Sequence, residues 1–430
     1  MPKTVAFATL GCKVNQYDTQ AMLEQFERKG YQVVPSNALA DVYVVNTCTV
    51  TGTGDQKSMQ LVRRYSRRNP QAQIVVAGCL AQRMGAELRD TGARLILGTQ
   101  HRAQVVELLE KAIAQGVQLV AVDALESAPF EALTIHSHEG HTRAVMKIQE
   151  GCDNRCTYCI IPSVRGSIRS RAVEDIRAEA QALAKEGFTE LVLTGIHLTS
   201  YGRDLPQKPT LAQAVQTACE TEGIHRVRLG SLEPRVVNEA FVMQMKGLPQ
   251  FCPQFHLALQ SGSDEVLRRM KRGYNTEQFT KAVACIRTAF AQAAFTTDVI
   301  VGFPGETEAE FEETVRFCEQ IGFAKLHVFP YSKREGTPAA QMPEQVNENV
   351  KAQRVHRLIA VGETLACRYR EALLHLVRPV LLENQLPDGS WAGYTPEYVH
   401  VCVPSGSAGA LVNVCLEKLT KEGMSGRVVE

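Results

Sequence analysis

No uninterrupted apolar run in this sequence approaches the roughly 20 residues that a bilayer-spanning helix needs, so no membrane-embedded segment is expected. Its first residues, MPKTVAFATLGCK, lack the layout of a secretory leader, and the expected compartment is the cytoplasm. Charge of either sign is not in excess, since 47 Lys and Arg face 46 Asp and Glu, leaving +1. A nucleic-acid partner therefore has to be held by local clusters of charge, because the overall balance favours none. Internal repeats and low-complexity tracts are missing, and 44% hydrophobic against 22% charged residues excludes global disorder. A disulfide framework is missing too: the 13 cysteines are odd in number and spread over 430 residues without a secretory leader.

What the chain does have is cysteine in a pattern. Cys152, Cys156 and Cys159 in GCDNRCTYC form a C-x3-C-x2-C array, a spacing that 13 randomly placed cysteines would produce about 0.01 times. Three closely spaced thiolates hold three irons of a cubane iron–sulfur cluster and leave the fourth iron open to another ligand. Seven further cysteines, Cys219, Cys252, Cys285, Cys318, Cys367, Cys402 and Cys415, mostly sit among apolar neighbours and read as small hydrophobes.

The remaining three follow strands. Residues 1–125 alternate short β-rich runs, Val5–Leu10, Val42–Asn46, Ile74–Ala77, Arg94–Leu97 and Leu119–Val122, with helix-like stretches, the pattern of a parallel α/β sheet. Cys12, Cys48 and Cys79 each come just after one of the first three runs, at the carboxyl ends where open α/β sheets form their ligand crevices. The sheet brings them together although 36 and 31 residues separate them, and as a triad they suit a second cluster.

Residues 126–142 break the pattern and read as an interdomain connection, with His136, His138 and His141 in a polar linker. From 143 the βα alternation resumes, with strands expected at Ala144–Ile148, Leu191–Thr194, Val227–Leu229, Phe255–Leu259, Thr297–Val301 and Lys325–Phe329. Helices are expected at Glu174–Glu186, Glu265–Arg272 and Glu308–Gln320. Six βα units predict a partial (β/α)6 barrel with the C-x3-C-x2-C loop after its first strand, at the carboxyl face. A long helix, Gln345–Leu376, crosses the expected boundary at 370 into residues 371–430, where Val399, Val401 and Val403, then Val412, Val414 and Leu416, alternate with other residues. That period of two predicts a small β-barrel. The fold class is thus α/β, with a small barrel appended.

These residues resemble a family. The array with Tyr158 before its last cysteine is similar to the radical S-adenosylmethionine enzymes. Cys12, Cys48 and Cys79 resemble the amino-terminal cluster domain of the methylthiotransferases among them, and the tail resembles a TRAM domain, a small RNA-binding barrel. GCKVNQYD and IQEGCDNRCTYCIIPSVRGSIRSR look most like the bacterial branch acting on N6-threonylcarbamoyladenosine at position 37 of tRNA, next to the anticodon. The resemblance implies two [4Fe-4S] clusters with S-adenosylmethionine as radical source and methyl donor. The open iron of one cluster binds S-adenosylmethionine, whose cleavage gives a 5′-deoxyadenosyl radical, and the other holds the sulfur to be transferred. It implies tRNA, a low-potential electron donor and a sulfur source as partners. It also implies cofactor-binding positions at Tyr158, at Thr194 and Gly195, at Ser231 and Glu233, at Gln260, and at Val301 and Gly302 in the run to Gly305.

Phosphate contacts need cations. Lys57, Arg63, Arg64, Arg67 and Arg68 occur without an intervening acid, and the four arginines share one helix face. Arg165, Arg169 and Arg171 form a second group, and Arg268, Arg269, Lys271 and Arg272 a third, all read as candidates for gripping RNA. The tail is less basic than RNA-binding barrels usually are, with six Lys or Arg against seven acids from Thr364 onward, which leaves RNA contact to the arginine groups. Competing readings are methylthiolation of isopentenyladenosine in tRNA or of a ribosomal-protein aspartate, and, from a different class, a non-catalytic iron–sulfur RNA-binding redox sensor.

Overall fold

The computed structural model describes residues 3–126, 128–137 and 142–429. Six parallel strands open the chain: β1 (Thr4–Thr9), β2 (Gln32–Val34), β3 (Val42–Thr47), β4 (Gln73–Gly78), β5 (Leu95–Leu97) and β6 (Leu119–Ala121), in the order β2-β1-β3-β4-β5-β6. Every residue of β3 is buried, as a strand with helices on both faces must be, so it reads as a continuous apolar run. Helices α1 (Lys13–Arg28), α2 (Gly52–Arg68) and α3 (Cys79–Met84) follow β1, β3 and β4. The chain leaves β1 toward β2 on one side and then β3 on the other, which makes the carboxyl ends of β1 and β3 the topological switch point of the sheet.

The central unit contains β7 (Arg143–Glu150), β8 (Arg169–Ser170), β9 (Glu190–Gly195), β10 (Arg226–Leu229), β11 (Gln254–His256), β12 (Ala294–Val301) and β13 (Lys325–Pro330). All pairings but the short antiparallel β7–β8 are parallel. Two sheets, β10-β9-β7-β8 and β11-β12-β13, join through bridges at Val227–Phe251 and Leu232–Leu257, giving the expected six-stranded open barrel. The fourth strand is shorter than expected, because after His256 the ladder continues as single bridges and Gln260 takes a left-handed turn, φ +68°. The helix expected to run to Arg272 stops at Arg269, since Lys271 is also left-handed. The long helix spans Glu348–Glu371 and packs on β13.

The connection is a strap rather than a loose polar linker. Leu133 and Ile135 are buried in the core of the central unit; Tyr17 Oη donates to Leu133 O at 2.5 Å, and the Glu24 carboxylate accepts from the His136 and Ser137 amides at 2.7 and 3.0 Å. His136 also faces Glu24; His138 and His141 lie outside the described residues.

Five strands, β14 (Val377–Gln385), β15 (Trp391–Tyr394), β16 (His400–Val403), β17 (Leu411–Leu419) and β18 (Met424–Val429), close a barrel in the order β14-β15-β16-β18-β17. Val401, Val403, Val414 and Leu416 point inward, the period of two seen in the sequence. Arginines of the central barrel dock it: Arg226 donates to Tyr394 O and Pro379 O, both at 2.7 Å, and Arg228 donates to Pro396 O at 2.7 Å and lies 4.7 Å over the Tyr398 ring. Glu397 is buried beside Arg378 at 3.4 Å, so one tail acid belongs to this docked face instead of opposing RNA.

Candidate active site between two cysteine triads

Cys12 caps α1 after β1, Cys48 follows β3, and Cys79 opens α3 after β4, so all three stand at or beside the switch point of the sheet. Cys12 interacts electrostatically with both Cys48 and Cys79, and a Cβ placed on Gly11 would lie 3.2 Å from Cys48 Sγ. Polar side chains stitch the three loops together. Asn15 donates to Leu10 O at 2.7 Å and Thr47 O at 2.9 Å; Asn46 donates back to Asn15 O at 2.9 Å; the Thr47 hydroxyl donates to Ala77 O and accepts from the Leu80 amide. Gly78, at φ +92°, turns the chain into α3 where any Cβ would run into the Asn46 side chain and the Thr47 carbonyl.

The second triad lies on an irregular loop after β7. Gly151, at φ +74°, passes so close to the Ser167 carbonyl that no side chain fits, and Cys152 N then donates to Gly166 O at 2.9 Å. Thr157 anchors the middle of the loop through its amide to Met270 O, its hydroxyl to Arg269 O and its carbonyl to the Ala339 amide. Cys152, Cys156 and Cys159 influence one another electrostatically, as neighbouring thiols do.

The donor set fits cubane clusters better than single ions. Among the described residues no three His, Cys, Asp or Glu side chains are arranged to hold one metal ion, whereas in a cubane each thiolate takes its own iron. Backbone amides two residues on, those of Val50, Asn154 and Ile161, donate to Cys48, Cys152 and Cys159, as bound thiolates require. Burial pushes the thiols up, Cys79 and Cys152 to about 11 and Cys159 to about 12. Bare thiolates are therefore disfavoured, and ligation to iron would hold them deprotonated.

Between the triads lies a buried ion network that the sequence reading missed. Asp18 of α1 accepts from Lys147 at 2.6 Å, Arg102 at 3.0 Å and Arg165 at 3.0 Å; Glu150 of β7 pairs with Lys147 at 3.1 Å, Arg102 at 3.3 Å and Arg165. These cations hold both carboxyls below the usual carboxylate range against the opposing effect of burial. The signal in the sequence is VMKIQEGC, where Lys147, Gln149 and Glu150 interrupt a strand with no exposed face. A second tie runs from the segment after β13: Arg334 donates to the Thr49 hydroxyl at 2.9 Å and to Asp55 at 2.6 Å, and Ser332 accepts from the Gly52 amide.

This network corrects one expectation. Arg165, Arg169 and Arg171 do not face solvent; all three are buried, and Arg171 pairs with Glu179. Carboxylates hold Arg165 and Arg171, and Arg169 is buried with Nη2 donating to Arg165 O, so none of the three presents its guanidinium to a phosphate at the surface. Of the third group, Arg272 is also buried and turned inward, Arg269 pairs with Glu310 at 2.8 Å, and Arg268 pairs with Glu265 at the surface. The first group is different: Lys57, Arg63, Arg64 and Arg67 are exposed on α2, while Arg68 is partly covered and donates to Ser36 O.

The other expected positions ring the carboxyl face of the barrel. Thr194 and Gly195 pair with Lys147 and Gln149 of β7, and Ser231 is exposed after β10. Gln260 bonds through its backbone to Asp298 and Ile300 of β12; Val301 is fully buried and presents only backbone, and the Gly302 amide donates to Glu306. Tyr158 packs edge-on to Phe303 in a small apolar cluster with Met270 and Tyr331. Glu233 has both oxygens occupied: Asn154 and Arg272 donate to one at 2.9 and 2.7 Å, Arg235 to the other at 2.7 Å, with His197 at 3.3 Å. Against the effect of burial, His197 and Arg272 hold it down to about 2. Through Asn154 it ties the cysteine loop to Arg272 and Arg235.

Comparison with known proteins places this geometry. Residues 4–98 match a family described as uncharacterized protein family UPF0004, and residues 146–318 match the radical SAM superfamily. The chain is 40% identical to a threonylcarbamoyladenosine tRNA methylthiotransferase MtaB of Bacillus subtilis, covering 99% of this chain and 97% of that one, and 36% identical to its namesake in Thermotoga maritima, covering 98% and 96%. It is 34% identical to a tRNA-2-methylthio-N(6)-dimethylallyladenosine synthase of Natranaerobius thermophilus, covering 98% and 96%. Among solved structures, the radical S-adenosylmethionine methyltransferase TsrM of Kitasatospora setae shares the fold with a TM-score of 0.57 at 14% identity, over 79% of this chain and 77% of that one. With both matches in place and identity sustained from end to end, the chain belongs to the tRNA methylthiotransferase family of the radical SAM superfamily.

Proposed function

We propose that this protein converts N6-threonylcarbamoyladenosine at position 37 of tRNA into its 2-methylthio form, acting in the cytoplasm with a low-potential electron donor and a sulfur source. The observation that carries the reading is the 40% identity over 99% of the chain to a relative named for that nucleoside, above the 34% shared with the dimethylallyladenosine enzyme.

In this reading Cys12, Cys48 and Cys79 hold the first [4Fe-4S] cluster and Cys152, Cys156 and Cys159 the second. When bound, the second cluster with S-adenosylmethionine supplies radical removal of hydrogen from an unactivated ring carbon, which no side-chain base accomplishes near neutral pH, and the first supplies the sulfur. The chain's own residues arrange the space. Thr194, Gly195, Ser231, Gln260 and the backbone of Val301 and Gly302 line the barrel mouth for S-adenosylmethionine, with Tyr158 packed behind the loop. Lys57, Arg63, Arg64 and Arg67 offer phosphates a cationic helix face beside the Cys48 loop.

Mass spectrometry of nucleosides from tRNA of a strain lacking the gene, complemented with the wild-type chain or with Cys48→Ala, tests the proposal. The 2-methylthio-threonylcarbamoyl nucleoside should return with the first and stay absent with the second. Return of a methylthio-isopentenyl nucleoside would transfer the assignment to that substrate. Product with Cys48→Ala would remove the first cluster, and no methylthio nucleoside with the wild-type chain would leave the ribosomal-protein or redox-sensor readings.

A further inference from the structure

Two arginines end on a sulfur. Arg165 Nε donates to Cys79 Sγ at 3.1 Å, and Arg272 Nη1 donates to Cys156 Sγ at 3.1 Å. One arginine serves each triad. Among the described residues no other cationic side chain has a hydrogen bond to any of the six sulfurs.

Both guanidiniums are built into their places. Arg165 is fully buried, and its remaining nitrogens donate to Asn15 Oδ1, Asp18 Oδ2 and Glu150 Oε1. Arg272, with a side chain 7% exposed, donates to Glu233 at 2.7 Å and to the Tyr274 hydroxyl at 3.0 Å, and lies 4.8 Å over the Tyr274 ring. Glu233, saturated by four donors, thus fixes the arginine that touches Cys156. Arg165 ends the short helix Ile161–Arg165 that follows Cys159, yet its sulfur partner is 86 residues away in the other unit. The segment that carries one triad therefore also grips the other.

We propose that Arg165 and Arg272 are positioning residues for the two clusters, each donating a charge-assisted hydrogen bond to one ligating sulfur and holding its own cluster at a higher reduction potential than the thiolates alone would give. The inference rests on the two-cluster reading above. Its physical basis is that reduction adds one negative charge to a cluster, and hydrogen bonds to the sulfurs, net charge and solvent exposure set how readily that charge is accepted. A cation aimed at the sulfur from a buried site stabilises the reduced form more than the oxidised one. The step is a one-electron transfer from an external low-potential reductant; no bond is made or broken, and the guanidinium keeps its proton.

The test uses the full chain, reconstituted anaerobically, in two backgrounds: Cys152→Ala, Cys156→Ala, Cys159→Ala retains only the first cluster, and Cys12→Ala, Cys48→Ala, Cys79→Ala only the second. Iron and sulfide are counted, and each cluster is titrated with dithionite and followed by electron paramagnetic resonance. Arg165→Gln should lower the midpoint of the first cluster by a tenfold change in the reduced-to-oxidised ratio, about 59 mV for one electron, and leave the second unmoved. Arg272→Gln should do the reverse. Arg165→Lys and Arg272→Lys, which keep charge but lose the fork, should fall between. Midpoints unchanged in both Gln variants overturn the proposal, as does a shift that appears equally in both clusters. If Arg165→Gln fails to load iron, Arg165→Lys decides: an unchanged midpoint there makes Arg165 merely structural and overturns its half. About four irons in the unsubstituted chain instead of about eight would sink the two-cluster reading, while the Arg272 titration still stands or falls by itself.

Discussion

Glu150→Gln removes one charge from the centre of the molecule and almost no volume. Glu150 is fully buried, with Lys147 at 3.1 Å, Arg102 at 3.3 Å and Arg165 closer still, and Asp18 is the like charge that shares those partners. The substitution abolishes three attractions and relieves one repulsion, and part of the loss is refunded because one ion fewer is kept from water. What remains is an under-compensated cluster of cations, a situation that costs about 3–5 kcal/mol. Melting of the interface between the first two units should drop by about 6–20 °C, taking about 2–4 °C per kcal/mol for units of this size. Adding Lys147→Met should recover about 0.5–3 kcal/mol of the sum of the single losses, since both act on one network. The pH dependence has a definite sign. Both carboxyls are held below their ordinary values, so their contribution is complete above about pH 5 and is lost only as acid brings the pH down through the lower folded values. The wild-type advantage in calorimetry should therefore be flat from about pH 5 to 8 and shrink in acid. A loss under about 1 kcal/mol, or an advantage that grows in acid, would refute the reasoning.

Gly78→Ala should cut the iron content of reconstituted protein by about half, because the added methyl forces apart the Asn46 and Thr47 contacts that place Cys79, while the loop at 152–159 is untouched. Arg63→Ala and Arg67→Ala should each weaken tRNA binding and lower its salt slope by about one, read from filter binding at several ionic strengths. Arg171→Ala should leave that slope alone and cost stability, since it strands Glu179 without its cation in the core. Glu233→Gln should weaken the second cluster across the pH range in which the wild-type carboxylate is charged, so visible absorbance of the reconstituted variant should fall below wild type near neutral pH and the difference should shrink as the pH approaches about 2.

Much of the scaffold was legible because each layer has its own period. β3 and β4 read as strands from unbroken apolar runs, and the final barrel from alternation at Val399, Val401 and Val403. The triad at Cys12, Cys48 and Cys79 was legible because each cysteine follows such a run, and parallel topology does the rest. β2 and β8, three and two residues long, escaped notice. The arginines mark the real limit. Arg63, Arg64 and Arg67, which the spacing gathers on one helix face, are exposed on α2, whereas Arg165, Arg169 and Arg171, grouped only by nearness in sequence, are buried. The partners that bury that second group, Asp18, Glu150 and Glu179, are chosen by tertiary packing. Local spacing carries no trace of an acid 147 residues away.

The GCKVNQYD stretch shows why such a polar helix is buried at all. Along α1, Asn15 stitches the loops of Cys12 and Cys48, Tyr17 reaches the strap at Leu133, and Asp18 enters the ion network. Further on, Gln20 bonds Ser137 and Glu24 takes the strap amides. Apolar residues there would give at least as much stability, since buried ion pairs gain little over well-packed hydrophobes. What an apolar surface lacks is direction: it tolerates sliding, whereas a hydrogen-bonded ion network is satisfied in one register only. Asp18 lies six positions after Cys12, Glu150 two before Cys152, and Arg165 six after Cys159. The network thus ties the segments that carry the two triads to one another and fixes their separation.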